Sequence, residues 1–146
     1  MTDETTATTG SGTGVGAIGW MRSLVIDAHD PRRLAEFWCA ALDVEIVEEE
    51  SDWVQLSPDP GGTFMAFQPT EAPRPASTVA RPDIEVTDID GARDRAIELG
   101  ATYVRTIQEL KGDHHYVMAD PEGNEFCLVQ PLPPELARPR WGDRRR

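Results

Sequence analysis

Residues 52–69, DWVQLSPDPGGTFMAFQP, and residues 114–131, HHYVMADPEGNEFCLVQP, carry one pattern twice. Each runs through Asp-Pro-x-Gly into an apolar strand that ends in Gln-Pro. Asp59 and Asp120 stand 61 positions apart, and Gln68 and Gln130 stand 62 apart. The chain is therefore an internal duplication with a unit of about sixty residues. In the second copy, strands over 114–119 and 125–130 flank the turn Asp120-Pro121-Glu122-Gly123-Asn124. Proline presets φ at the second turn position, and Gly123 or Asn124 takes the positive φ that closes it.

The segments before each hairpin repeat as well. Residues 21–27 (MRSLVID) alternate between two faces and read as a strand. Asp30-Pro31 opens a helix, with Asp capping the free amides and Pro suiting the first helical position. Leu34, Phe37, Trp38, Ala41 and Leu42 form its apolar stripe. Strands follow over 44–49, 52–56 and 63–68, and a proline-rich connector over 69–79 separates the halves. The second half gives a strand over 81–86 and a helix capped by Asp88, with Ile89, Ala92, Ala96 and Leu99 on one side. Gly100 takes the left-handed terminator position, followed by a strand over 101–107 and a loop over 108–113. Each half is strand, helix, then three strands. Neither half has enough sheet to cover both its helix and its concave face. The predicted fold is α+β: two paired βαβββ modules forming a cupped eight-stranded mixed sheet with the helices outside.

Charge narrows the partners. The formal net charge is −12. Residues 20–132 hold nine Lys/Arg against 22 Asp/Glu, whereas the tail from Pro133 holds five Arg against Glu135 and Asp143. An acidic body repels phosphate backbones, so no nucleic-acid partner is expected. No apolar run approaches the ~20 residues of a membrane span, so no membrane partner is expected. The Thr/Gly/Ser-rich lead, 1–19, lacks the basic residues and apolar core of a secretory signal and reads as disordered. The Pro/Arg-rich tail, 133–146, reads as a frayed end in which Trp141 docks on the domain or on a second subunit. Between them lies one domain, 20–132, with modules 21–69 and 80–131. Cys39 and Cys127 read as reduced, part-buried thiols of a cytoplasmic protein.

The residues VIDAHDPRRLAEFWCAALDVEIV (25–47), DIEVTDIDGARDRAIELGATYV (83–104) and ADPEGNEFCLVQP (119–131) resemble the vicinal oxygen chelate superfamily, in its glyoxalase-like and bleomycin-resistance-like branch. The likeness covers residues 21–131. It implies the fold above and a homodimer, but no single reaction, since these proteins include isomerases, lyases, dioxygenases, thiol transferases and drug-sequestering binders. Metal-dependent members hold a divalent ion in the cup with His, Glu, His and Glu. Carried over, the two His positions fall on Ser23 and Arg81, and the first carboxylate falls on Thr63 or Phe64. Only Glu125 matches. A guanidinium cannot coordinate a cation, so neither a metal nor another cofactor is expected.

Strand alternation sorts what remains in the cup. Ser23, Val25 and Asp27 share one face, as do Arg81, Asp83 and Glu85, and likewise Glu125, Cys127 and Val129. Trp53, Tyr116 and Phe67 are the candidate aromatic contributors, on strands whose facing alternation alone leaves open. His114 and His115 point to opposite faces, so at most one joins a site. The candidate ligand-binding residues are Ser23, Asp27, Trp53, Phe67, Arg81, Asp83, Glu85, Tyr116, Glu125 and Cys127. An ion pair between Arg81 and Glu125 is expected where relatives hold their metal.

The resulting expectation is a metal-independent protein that binds a small organic molecule in the cup, with its acidic interior favouring a cationic or amine-bearing one. One alternative is a lyase or isomerase with Glu125 as general base and Arg81 as oxyanion partner. The other is a structural or regulatory dimer module.

Overall fold

A computed structural model describes residues 18–19, 21–76, 80–109 and 112–131. The readings on the tail, on Trp141 and on all of the lead but residues 18–19 fall on residues 1–17 and 132–146, outside the described part. The element order is β1 (Ser23–Ala28), α1 (Pro31–Leu42), β2 (Ile46–Glu50), β3 (Trp53–Leu56), β4 (Phe64–Pro69), β5 (Asp83–Glu85), α2 (Ile89–Leu99), β6 (Thr102–Gln108), β7 (His114–Ala119) and β8 (Glu125–Val129). This is strand, helix and three strands, twice.

Local chemistry sets the helix ends. Asp30 accepts from the Arg33 amide at 3.2 Å with Pro31 in the first turn, and Asp88 accepts from the Gly91 amide at 3.1 Å. A β-carbon at residue 91 would collide with the Asp88 carboxylate, so glycine lets this cap close. Gly100 ends α2 at φ 118°, whereas α1 ends on Asp43 at φ 56°, one of the few residue types that tolerate the left-handed region. Gly123, at φ 90°, closes the turn before β8.

The eight strands form two four-stranded mixed sheets, β1-β4-β3-β2 and β5-β8-β7-β6. Within each module the first and last strands are parallel neighbours. No hydrogen-bonded ladder joins the two sheets among the described residues, so the sheet is divided rather than continuous.

One hydrophobic core serves both modules. Leu34, Ala35, Phe37 and Trp38 of α1 pack on Val54, Leu56, Met65 and Phe67, whereas Ala41, assigned to that stripe from its spacing, is exposed. Ile89 and Ala96 of α2 join Tyr116, Met118 and Leu128 in the same cluster. Trp38 then crosses to the second module, its ring edge-on to Phe126 at 5.0 Å between centroids. Edge-to-face pairs of this kind add about 0.5–1.5 kcal/mol beyond the area they bury.

The second module's turn completes the joint. Glu122 accepts from the backbone amides of His29 and Asp30, both at 2.7 Å, and from Arg74 Nη1 at 3.1 Å. Arg74 Nη2 donates to Asn124 Oδ1 at 3.0 Å. The start of α1, the connector and the 120–124 turn are thereby tied at one point.

Candidate functional site

Each sheet has one face against its helix and one turned away. In the second module the helix-side face carries Ile84, Phe126, Leu128, Tyr116 and Met118. The other, open face carries the cross-strand row Asp83, Cys127, Val117 and Arg105. Glu125 lies on the same open face, opposite Ala119, and Glu85 lies beside Val129. Val117 and Cys127 are buried and form a dry floor, while Asp83, Glu85 and Arg105 are exposed.

Glu125 is bracketed. Arg81 Nη1 lies 3.6 Å from its Oε1, and Arg105 Nη1 lies 3.6 Å from its Oε2. The side chains keep 34% (Arg81), 47% (Arg105) and 22% (Glu125) of their surface exposed. The Arg81–Glu125 pair expected from the sequence is therefore present, with a second cation that the sequence reading missed. Arg105 reaches the open face because β6 slips register against β7 between Tyr103 and Arg105. Such a bulge re-aims every residue beyond it and leaves no mark on the hydropathy pattern. Burial pushes the Cys127 thiol up, and the nearby Asp83 carboxylate adds to this while Arg81 and Arg105 oppose it.

The first module presents different chemistry on its open face. Ser23 pairs with Phe64, Val25 with Ala66 and Asp27 with Gln68, and Gln55 lies on the other side of Ala66. Trp53 shares that face and donates its indole N–H to Gln55 Oε1 at 3.1 Å. Glu48 and Glu50 pair with Gln55 and Trp53 and give this face an acidic rim. The pairing of Ser23 with Phe64 matches the placement of Arg81 beside Glu125, so Phe64 rather than Thr63 is the counterpart of Glu125. Between the modules, Leu24, Trp38 and Phe64 face Pro82, Asp83 and Ile84 across a cleft of about 170 Å³.

Two of the predicted aromatic contributors lie on the other face. Phe67 is fully buried beside Met65 and packs under α1. Tyr116 is buried with Met118, and its hydroxyl donates to Asp90 Oδ1 of α2 at 2.5 Å. That bond is the main reason its phenol is held above the ordinary range, with burial second. In both cases the large apolar ring is placed where the core needs it, and alternation then commits the neighbours. Phe64, and not Phe67, joins Trp53 on the open face. The His114 ring lies tilted against Tyr116, 5.1 Å between centroids, while His115 Nδ1 lies 3.1 Å from Glu109 Oε1.

A divalent cation does not fit these residues. The four positions onto which the resemblance carries the ligands of metal-dependent members are Ser23, Phe64, Arg81 and Glu125. A single carboxylate flanked by two guanidiniums offers an incoming cation repulsion in place of ligands. Among the described residues no group of three or more His, Cys, Asp or Glu side chains converges on a metal-sized site. Nor is any helix among them long and apolar enough to cross a membrane.

Comparison with known proteins agrees with this architecture. The chain resembles a glyoxalase/bleomycin resistance protein/dioxygenase family enzyme from Burkholderia phytofirmans, with a TM-score of 0.64 and 19% identity over 75% of this chain and 97% of that one. It also resembles the bleomycin-binding protein of Streptomyces verticillus, solved with copper(II)-bleomycin, with a TM-score of 0.56 and 19% identity over 77% and 97% of the two chains. At these identities the likeness is one of fold. Uncharacterised proteins of Mycobacterium bovis and Mycobacterium tuberculosis are 42% identical over 50 residues, which is 34% of this chain. The match spans about a third of those relatives, 33% and 29% of their lengths. The family described as glyoxalase-like domain matches residues 23–129, both modules from the first strand to the last, and the chain belongs to that family.

Proposed function

We propose that this protein binds a small polar organic molecule on the open faces of its sheets, without a divalent metal, and does so as a cytoplasmic homodimer. The observation that carries this reading is the bracketing of Glu125, the one residue that matches the ligand pattern of metal-dependent members, by the guanidiniums of Arg81 and Arg105. Trp53 and Phe64 supply flat apolar surface, while Asp83, Glu85, Glu48 and Glu50 supply carboxylates for an amine-bearing ligand. The similarity to a bleomycin-binding protein supports binding as the task. The reading of Glu125 as a general base has less support, because each of its oxygens faces a guanidinium where a substrate proton would have to arrive. Dimerisation rests on the open faces: among the described residues the two sheets share no ladder, and Val25, Asp27, Asp83 and Glu85 stay exposed in the single chain.

Native mass spectrometry of the purified full chain, followed by thermal-shift screening against amine-bearing aromatic compounds, tests the reading. One ligand per chain with quenching of Trp53 fluorescence is expected. Near-stoichiometric Zn, Ni, Mn or Fe in the purified protein would overturn the metal-independent assignment. Turnover of a screened compound would return Glu125 to the role of base.

A further inference from the structure

We propose that Arg81 and Arg105 form a subsite for an oxyanion, a carboxylate or phosphate carried by the ligand, and that Glu125 fills this subsite until the ligand arrives. The inference rests on the ligand-binding reading above and names the chemical group that its ligand must carry.

The geometry differs from that of a structural ion pair in the same molecule. Arg74 and Glu122 approach to 3.1 Å, and Glu122 is further held by two backbone amides at 2.7 Å with only 12% of its side chain exposed. That pair locks the modules together. Around Glu125 both Arg–carboxylate separations are 3.6 Å, outside the ~2.7–2.9 Å of a charge-assisted hydrogen bond. The guanidiniums attract the carboxylate without engaging it, and both are more exposed than Arg74.

Their placement makes a clamp. Arg81 stands two residues before the start of β5 and Arg105 stands on β6, and these are the two edge strands of the sheet. They reach inward from opposite edges to the carboxylate on β8. Below them lie Val117 and Cys127, buried on the same face. A dry floor lowers the local dielectric and strengthens a charge-assisted bond formed above it. The two guanidiniums and Glu125 sum to one positive charge, which a monoanion neutralises. Asp83 flanks the site as the cross-strand neighbour of Cys127. The chain's net charge of −12 opposes any anion at long range. At physiological salt that field is screened within about 8 Å, so the clamp decides the outcome locally. Guanidinium forks match the planar oxygen pair of a carboxylate, and with nearby acids for an amine the preferred ligand is an ampholyte.

The test uses the full chain, 4-fluorobenzoate observed by fluorine NMR as carboxylate probe, inorganic phosphate as the second oxyanion, and benzylamine as the cationic control. Because Glu125 competes with the probe, Glu125→Gln should tighten 4-fluorobenzoate binding about tenfold, while Arg81→Met and Arg105→Met should each weaken it about tenfold or more. Phosphate displacing the probe would place any oxyanion in the clamp. Phosphate leaving the probe bound would restrict the clamp to carboxylates. Both results support the proposal. Unchanged or weaker binding in Glu125→Gln, or full binding in Arg105→Met, overturns it. If benzylamine binds and the benzoate does not, the oxyanion subsite is wrong and the small-molecule reading stands. If neither binds and the thermal-shift panel is also silent, both fail. The substituted side chains are partly exposed, so thermal melts should confirm intact folding in each variant.

Discussion

The indole N–H of Trp38 donates to Asp120 Oδ2 at 3.1 Å, joining two residues 82 positions apart in a buried hydrogen bond. Asp120 is the only buried charged residue among those described, with 3% exposure. Its carboxylate also accepts from the amides of Glu122 and Asn124 and from the Asn124 side chain. A carboxylate with this many donors shapes the turn and anchors the first module's helix to it at once.

Replacing Asp120 with Ala should therefore destabilise the protein by about 2–4 kcal/mol, since the buried Trp38 indole and several part-buried donors lose their acceptor together. Trp38→Phe keeps most of the apolar ring and should cost less, about 1–3 kcal/mol. Urea unfolding of both single variants and the double variant checks this, with a coupling of at least about 1 kcal/mol expected. Additive effects would mean that the bond does not join the modules energetically.

The two phenylalanines of β4 provide a test of facing. Phe67 is fully buried and Phe64 only half-buried. Phe67→Ala should cost about 3–5 kcal/mol, and Phe64→Ala clearly less. Weakened ligand binding belongs to Phe64→Ala alone. Equal stability losses would mean the strand faces are reversed.

Arg81, Arg105 and Glu125 should contribute little to stability. Pairs this exposed and this loosely spaced couple by about 0.2–1 kcal/mol. The cost of about 3–5 kcal/mol expected for breaking a fully buried pair does not apply here. Double-mutant cycles of Arg81→Met and Arg105→Met with Glu125→Gln, read by chemical denaturation, measure both couplings.

The thiols set an alkaline limit. Burial raises both Cys127 and Cys39, so the folded chain holds these protons more tightly than the unfolded chain. The associated stability is fully present below the ordinary thiol pKa and is lost as pH rises through the raised one. The melting temperature should fall as pH rises past the ordinary thiol pKa of about 8.5, and Cys127→Ser should fall less steeply. Tyr116 is shifted in the same direction from an ordinary value of 10.0, so its share of the stability is lost only at higher pH than that of the thiols. Iodoacetamide should label the native thiols more slowly than the urea-unfolded chain.

Light scattering at tens of micromolar should give twice the 16.1 kDa chain mass. A lone monomer that still binds ligand would mean that one chain completes the site unaided.

The element order, the duplication, the two aspartate caps and the terminator at Gly100 were determined by the sequence alone. Caps, turns and hydrophobic periodicity depend on residues close together in the chain. The placement of Glu125 and Cys127 on one face and Phe126 and Leu128 on the other followed from alternation along a strand with a single apolar side. Tertiary structure decided the rest. Phe67 and Tyr116 went to the core because the space under the helices had to be filled, and that volume is defined only once both modules have packed. Arg105 joined the site through a register slip in β6 that no hydropathy pattern records. The Asp-Pro-Glu-Gly-Asn turn carried a clear local signal as a turn. Its use of Asp120 and Glu122 to grip Trp38, His29 and Asp30 depends on contacts more than eighty residues apart, and only the folded chain brings those groups within hydrogen-bonding distance.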